Sequence, residues 1–473
     1  MLIYVIIPLY ILFSILIILK LLLDGLRPTK TLAWLLAIFT IPVGGILLYL
    51  VLGRNRRKNK FFDLKTSSLI SDYLDQSSKS YAHFKAKILP DHLKFANLFY
   101  SNSSFEAVSG NIIKILNNGE ETFDAIFEAI KQAEHFIHLE YYIFEEGQLS
   151  DELFMLFQQK VEQGVAVKIL YDGVGSFSLS KKYIAKLKDI GVTIERFLPM
   201  RFGKFLSSVN YRNHRKIIVI DNRIAFTGGI NVSDKYISGD PELGIWKDLH
   251  LKLEGPIVFQ LQSVFAIDWY YASGDRTIFK TTQNLYLEYP EKHIAQLVHS
   301  GPDSDFFASM QLFFSLINSA KHYVYITNPY IIPNESILNA LEVAALSGVD
   351  VRIVLSNNSD SNLVKWCVRS YFERLLQAGV KIFLITDGFI HSKTIAVDDA
   401  LCSVGTANLD HRSFEQNYEV NVIIYDQTLC KELKEIFTKE CSTAIQLEYS
   451  KFVNRPWSHK FKEATAKIFS PIL

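Results

Sequence analysis

The chain reads as an α/β protein: a duplicated α/β/α domain with pseudo-twofold symmetry, preceded by an N-terminal two-helix transmembrane hairpin. Three observations predict this. Two apolar runs of 22 residues, 2–23 and 31–52, open the sequence. Beyond residue 105 strand-like and helix-like patterns alternate twice over in similar order. One eight-residue pattern, His-x-Lys-x4-Asp, then appears once in each copy.

The first run is apolar apart from Ser14 and Lys20, and the second carries no charge. At ~1.5 Å per residue, 22 residues reach about 33 Å, enough for a hydrocarbon core of about 30 Å. Pro42, Gly44 and Gly45 interrupt the second run, which membrane helices tolerate when neighbours satisfy the freed backbone. The first run lacks the basic leader, short apolar core and small-residue cleavage site of a signal peptide. Arg54, Arg56, Arg57, Lys58 and Lys60 crowd the exit of the second run, against Arg27 and Lys30 in the connection. Basic flanks stay cytoplasmic, so the bulk of the chain is expected there. Such a cluster also attracts anionic lipid, at about 1 kcal/mol per basic side chain. The hairpin with its flank is assigned to 1–60.

Composition narrows the classes. Fifty Lys and Arg against 49 Asp and Glu leave no general basic footprint, which argues against a nucleic-acid partner. Cys367, Cys402, Cys430 and Cys441 are scattered without a CxxC pair. They are expected to be ordinary reduced cysteines, neither a disulfide framework nor a zinc site.

Residues 61–105 are polar and serine-rich, a linker with helical pieces. The first half is then assigned to 106–290 and the second to 291–473. His135-Phe136-Ile137-His138-Leu139-Glu140 in one copy answers His322-Tyr323-Val324-Tyr325-Ile326-Thr327 in the other. Each is an alternating, β-branched and aromatic strand pattern following a helical one. Helical patterns at 152–163 and 336–347 then lead to Val165-Ala166-Val167-Lys168-Ile169 and Val349-Asp350-Val351-Arg352-Ile353. Such alternation predicts mostly parallel, buried sheets. A repeat of roughly 180 residues is a duplicated domain, not a solenoid unit.

The shared motif carries the chemistry. It is His214, Lys216 and Asp221 in the first copy, and His391, Lys393 and Asp398 in the second. Two chance matches would arise on the order of once in a thousand chains. Gly228 and Asn231 also follow the first motif at the offsets of Gly405 and Asn408 after the second. Apolar residues fill the variable positions, so each motif opens a strand and its histidine and lysine share a face. Asp221 and Asp398 fall at odd offsets, at strand ends, where a structural or hydrogen-bonding role fits them. Two His-Lys pairs brought together by symmetry make a phosphodiester site: one neutral imidazole attacks phosphorus while the other, protonated, serves the leaving alkoxide. Lys216, Lys393, Asn231 and Asn408 would stabilise the phosphoryl oxygens. No metal or cofactor is called for.

The stretch from Asn210 through Asn231, with Gly405-Thr406-Ala407-Asn408-Leu409-Asp410 and Arg412-Ser413, resembles the phospholipase D (HKD) superfamily. Within it the chain is most similar to bacterial cardiolipin synthases. Arg27-Pro28-Thr29, Ala33-Trp34, Pro42-Val43-Gly44-Gly45 and Ser470-Pro471-Ile472-Leu473 carry that closer resemblance. It implies a phospholipase D-type α/β/α fold and phosphatidyl transfer between two phosphatidylglycerol molecules. It also implies a multi-pass protein of the bacterial plasma membrane, with phosphatidylglycerol and anionic membrane lipid as partners. The family's acidic residue downstream of each motif implies Asp248 as the group orienting His214 and Glu419 as the group orienting His391. The resemblance further makes His214 the nucleophile and His391 the proton donor. The residues alone leave a lipid hydrolase of the same fold open, and behind it a non-catalytic membrane scaffold. His138, His250 and His411, in or beside apolar strands, are expected to be packed. The tail 457–473, alternating basic and apolar, suits a membrane surface or a packed terminal helix.

Overall fold

The computed structural model describes residues 2–23, 28–49, 68–197, 211–280 and 293–473. Strands of the first copy are β1 (Val108–Leu116), β2 (Phe136–Tyr141), β3 (Ala166–Asp172), β4 (Thr193–Phe197), β5 (Ile217–Ile220), β6 (Ile224–Gly228), β7 (Trp246–Lys247) and β8 (His250–Glu254). The second copy begins with β9 (His293–Ser300), β10 (Tyr323–Thr327), β11 (Ile331–Ile332), β12 (Asp350–Ser356) and β13 (Lys381–Ile385). It continues with β14 (Phe389–Ile390), β15 (Thr394–Val397), β16 (Leu401–Gly405), β17 (Leu409–Asp410), β18 (Glu419–Ile424) and β19 (Ile445–Gln446).

One fifteen-stranded sheet runs through both copies. The first contributes the order β4-β3-β2-β5-β6-β8-β1, and the second repeats it as β13-β12-β10-β15-β16-β18-β9, with β19 at its edge. The two meet where β1 pairs antiparallel with β9. This mirrored order is the pseudo-twofold that the duplication predicts. The sheet is not mostly parallel, however. In each copy two neighbouring pairs are parallel, β2·β3 and β3·β4 or β10·β12 and β12·β13. The remaining neighbours are antiparallel, because β5 and β6, like β15 and β16, form tight hairpins without a crossover helix.

Helices cover both faces, so strands such as β2, β10 and β18 are buried along their whole length. A central cluster including Ile113, Leu251, Leu297 and Val422 joins the copies. The helical pieces expected near 61–105 are Ser68–Tyr81 and Pro90–Ser103. They are packed rather than merely linking, since Ile70, Tyr73, Phe95 and Phe99 lie in hydrophobic clusters of the catalytic part. The terminal helix Trp457–Lys467 packs against Asn362–Gln377. The four cysteines are free, three of them buried.

The N-terminal helices belong to a separate compact unit. Leu2–Leu23 and Pro28–Thr40 are helical, and Ile17, Leu21, Ile38, Ile46 and Tyr49 cluster within this unit. The second apolar run is not one span. It breaks at Ile41, and Pro42, which has no N–H to continue the ladder, starts the short helix Pro42–Leu48. Of Leu2–Leu23 the structure describes side chains only at Pro8 and from Tyr10 on. Among the described residues no helix is long and apolar enough to cross a membrane, so the expected two-helix transmembrane hairpin is not supported. The basic flank from Arg54 to Lys60 lies outside the described residues.

Candidate active site

Each motif enters its strand by an extended lead: β5 begins one residue after Lys216 and β15 one residue after Lys393. At the far end of each strand the motif aspartate starts a two-residue turn. Asp221 and Asn222 have φ of 52° and 53°, and Asp398 and Asp399 have 52° and 51°. Arg223 N–H bonds Ile220 O and Ala400 N–H bonds Val397 O, closing type I′ hairpins. The carboxylates face the backbone. Asp221 accepts from the N–H groups of Glu134, His135 and Phe136 at 2.7–2.9 Å. Asp398 accepts from Lys321, His322 and Tyr323 at 2.5–2.9 Å. The two aspartates therefore anchor the starts of β2 and β10 and do not reach the histidines, as their odd offset predicts.

The lead of one copy pairs with the other copy. Asn213 bridges Tyr418, and His214 N–H donates to Tyr418 O at 2.9 Å. By the same rule β14 pairs with β7, Ile390 opposite Lys247, and His391 N–H donates to Lys247 O at 2.8 Å. In both cases the partner is the residue just before the acid. Each histidine is thereby set beside the acid of the opposite half. His214 Nδ1 lies 3.0 Å from Glu419 Oε2, and His391 Nδ1 lies 2.6 Å from Asp248 Oδ2. The expected pairing, Asp248 with His214 and Glu419 with His391, is reversed. The reason is the cross-half backbone register.

The supports of the two acids differ. Glu419 is buried and accepts from Thr406 Oγ1 at 2.5 Å, Ser413 Oγ at 2.7 Å and Asn417 Nδ2 at 3.2 Å. Asp248 accepts from Leu249 N–H at 2.7 Å and fills the space where a side chain on Gly229, the counterpart of Thr406, would stand. Beneath the first motif, Arg215 forms a buried ion pair with Asp268 and donates to Ser300 O and Glu419 O.

Both lysines are buried. Lys216 Nζ donates to His214 O at 2.7 Å and faces the Tyr142 ring. Lys393 Nζ lies 2.8 Å from His391 Nδ1 and 3.7 Å from Asp248, and donates to His391 O. Burial and the charge of Lys393 lower Lys216 to about 7; burial, offset by Asp248, lowers Lys393 to about 8. The Lys393 charge acts on Lys216 and the Lys216 charge on His391, so the two motifs share one electrostatic site. Burial lowers His214 despite Glu419. Burial and Lys393 lower His391 to about 3 despite Asp248. Burial pushes both acids up, but the Lys393 charge and the His391 hydrogen bond outweigh it at Asp248, and the His214 contact together with the Lys216 charge outweighs it at Glu419. Two ionised carboxylates thus hold two neutral imidazoles between buried cations.

Of the expected phosphate ligands, Asn231 accepts from Ile143 N–H with its Oδ1 and donates one amide hydrogen to the Tyr236 hydroxyl, leaving one. Asn408 Oδ1 is buried without a partner. His138 and His250 are packed as expected. The former stacks between Phe136 and Phe265, and the latter lies buried against Gly228. His411 is half-buried at the head of the helix His411–Glu415. Tyr236, Thr406 and Ser413 hold the acid–histidine pairs without having been read from the sequence in those roles. The available signal was their shared offset: Tyr236 and Ser413 follow their histidines by the same 22 residues, but they are unlike residues.

The site's geometry agrees with what comparison finds. A family profile described as "Cardiolipin synthase, PLD-like domain" matches residues 126–269 and 313–441, one block for each half. Another, "Phospholipase D-nuclease N-terminal", matches 9–54. A cardiolipin synthase of Halalkalibacterium halodurans is 40% identical over 95% of this chain and 90% of its own length. The major cardiolipin synthase of Bacillus subtilis is 36% identical over 93% of each. A phosphatidylserine synthase crystal structure from Haemophilus influenzae, 15% identical, superposes with a TM-score of 0.62 over 80% of this chain and all of its own; that likeness bears on the fold alone. Two His-Lys motifs on a duplicated sheet, matched half by half and along nearly the whole length, place the chain in the cardiolipin synthase family of phospholipase D-like proteins.

Proposed function

We propose that the chain is a phosphatidyltransferase that makes cardiolipin from two molecules of phosphatidylglycerol by double displacement. The observation that carries this is the pair of crossed His–carboxylate couples. Each fixes one ring nitrogen as Nδ1–H and leaves Nε2 free for chemistry, between two buried lysines that suit a phosphodiester anion. His214 Nε2 attacks phosphorus; the bond to glycerol breaks as His391 passes its proton to the departing oxygen. The hydroxyl of a second phosphatidylglycerol then attacks the phosphatidyl-histidine, returns its proton to His391, and releases cardiolipin and free His214. One phosphodiester replaces another, so no energy donor enters the balance. Lys216 and Lys393 meet the charge that builds on the non-bridging oxygens.

The family resemblance assigns attack to His214 and proton donation to His391; burial lowers both imidazoles, His391 to about 3 with Lys393 beside it. In the empty site His391 is neutral; the bound phosphodiester anion favours its imidazolium, so His391 takes up a proton from solvent as substrate binds. Anchoring at the bacterial plasma membrane, with the catalytic halves cytoplasmic, belongs to the same reading. Its support is the apolar sequence of the first run, the basic residues after Leu52 and the N-terminal profile match. Purified protein given phosphatidylglycerol alone tests the function. Cardiolipin and glycerol are expected in about equal amounts with little phosphatidic acid; phosphatidic acid as the main product would make water the acceptor and the protein a hydrolase.

A further inference from the structure

The two halves repeat the motif but not its surroundings, and the difference concentrates at one position. The residue 22 places after the histidine is Tyr236 in the first copy and Ser413 in the second. Ser413 touches no histidine: its Oγ donates to Glu419 Oε1 at 2.7 Å and accepts from Asn408 N–H at 3.1 Å. Tyr236, longer by a ring, reaches across to the other motif. Its hydroxyl lies 3.1 Å from His391 Nδ1. The same oxygen accepts from Asn231 Nδ2 at 3.1 Å, and its own hydrogen goes to Gly229 O at 3.5 Å.

That arrangement fixes the direction of the contact. With its hydrogen turned to Gly229, the phenolic oxygen accepts from His391 when Nδ1 carries the hydrogen, the tautomer in which the Lys393 ammonium, 2.8 Å from the same nitrogen, turns its hydrogens to His391 O. Asp248, 2.6 Å away, demands the same tautomer. Nε2 is then the nitrogen that faces the reaction. His214 reaches this tautomer by other means, with Nδ1 3.0 Å from both Glu419 and Thr406 O. The ring of Tyr236 is buried against Trp246 and His391, so its hydroxyl has no competing contact with bulk water.

We propose that Tyr236 is a positioning residue for His391: its hydroxyl fixes the tautomer and aim of that imidazole and ties it to Asn231, a device the His214 side lacks. The consequence for catalysis rests on His391 being the proton donor. The experiment uses the full-length Tyr236→Phe protein, which keeps the ring and removes only the hydroxyl. It is assayed with phosphatidylglycerol and with a p-nitrophenyl phosphodiester of the same lipid, whose leaving group needs no proton. For phosphatidylglycerol, kcat should fall about tenfold, the worth of one net hydrogen bond, with KM within about twofold. Nitrophenolate release should stay within about twofold of the parent. The alkaline limb of the pH profile should move to lower pH, because a donor His391 works only when protonated and its imidazolium loses an acceptor. If both substrates slow and the acidic limb moves instead, Tyr236 positions a nucleophilic His391, and the assignment of the two histidines is what fails. An unchanged kcat, or equal losses with an unmoved pH profile and a lowered Tm, would overturn the proposal, because a merely structural tyrosine behaves that way.

Discussion

At the scale of single residues, the central feature is that each motif histidine is oriented by the acid of the other half. A carboxylate on Nδ1–H holds the tautomer and stabilises the imidazolium, and its loss removes general acid–base help of about 10²–10⁴-fold. The crossing makes the two acids separable. Glu419→Gln should disable the nucleophile, so phosphatidylglycerol and a p-nitrophenyl phosphodiester should both react about 10²-fold slower or worse. Asp248→Asn should disable the proton donor, so the activated ester should recover most of the lost rate. Rescue of Glu419→Gln with none for Asp248→Asn would exchange the roles of the two histidines, and equal behaviour of the two variants would contradict the separable couples. Much of this site was legible in the sequence. His214, Lys216, His391 and Lys393 could be picked out because duplication repeats their types and spacing, whereas Asp248 and Glu419, unlike in type and offset, came only from the family resemblance. Which acid serves which histidine was not legible. The pairing is made through space by Asn213 with Tyr418 and Ile390 with Lys247, contacts that leave no trace in the offsets. Tyr236 was hidden for a related reason, since its counterpart Ser413 is a different residue doing a different job.

At the scale of elements, the His-x-Lys-x4-Asp motif is a lead, a strand and the first residue of a hairpin turn. The terminal aspartate belongs to the fold. Asp221 and Asp398 each accept three backbone N–H bonds from the neighbouring strand and sit at positive φ, where Asp and Asn are the commonest non-glycine residues. Asp221→Ala should cost on the order of 3 kcal/mol, from lost charge-assisted bonds and an alanine forced into the left-handed region. Turnover per folded molecule should stay within about twofold. Calorimetry and a titration of active sites check this; a 10²-fold loss of turnover at unchanged Tm would make the aspartate part of the chemistry. The odd offset gave this role correctly. The parallel sheet was the weaker inference, because a buried strand reads as apolar whichever way its neighbour runs. The tight turns at Asp221-Asn222 and Asp398-Asp399, which make the hairpins, were the local signal to the contrary. The second expected membrane helix is interrupted at Pro42, where a separate short helix begins. Hydropathy averages over that residue, whereas the backbone does not.

At the scale of the whole molecule, the two copies form one continuous sheet with one site, and neither copy holds a complete histidine–acid couple. The duplication is therefore functional as well as architectural: a first half alone would carry His214 without Glu419, and a second half His391 without Asp248. One site with two unequal imidazoles suits a reaction that needs a nucleophile and a proton carrier in turn, and the asymmetry of Thr406, Ser413 and Glu419 against Gly229, Tyr236 and Asp248 supplies the inequality. The covalent intermediate is the claim on which the whole account stands. It is tested most directly by mixing the protein with phosphatidylglycerol labelled at phosphorus, quenching in alkali where a phosphorus–nitrogen bond survives, and mapping the labelled residue. The account predicts label on His214 in the parent protein, none in His214→Ala, and, with a labelled p-nitrophenyl phosphodiester whose leaving group needs no proton, accumulation on His214 in His391→Ala, where the acceptor has lost its base. Cardiolipin formed at full rate with no labelled histidine in any of the three would contradict it.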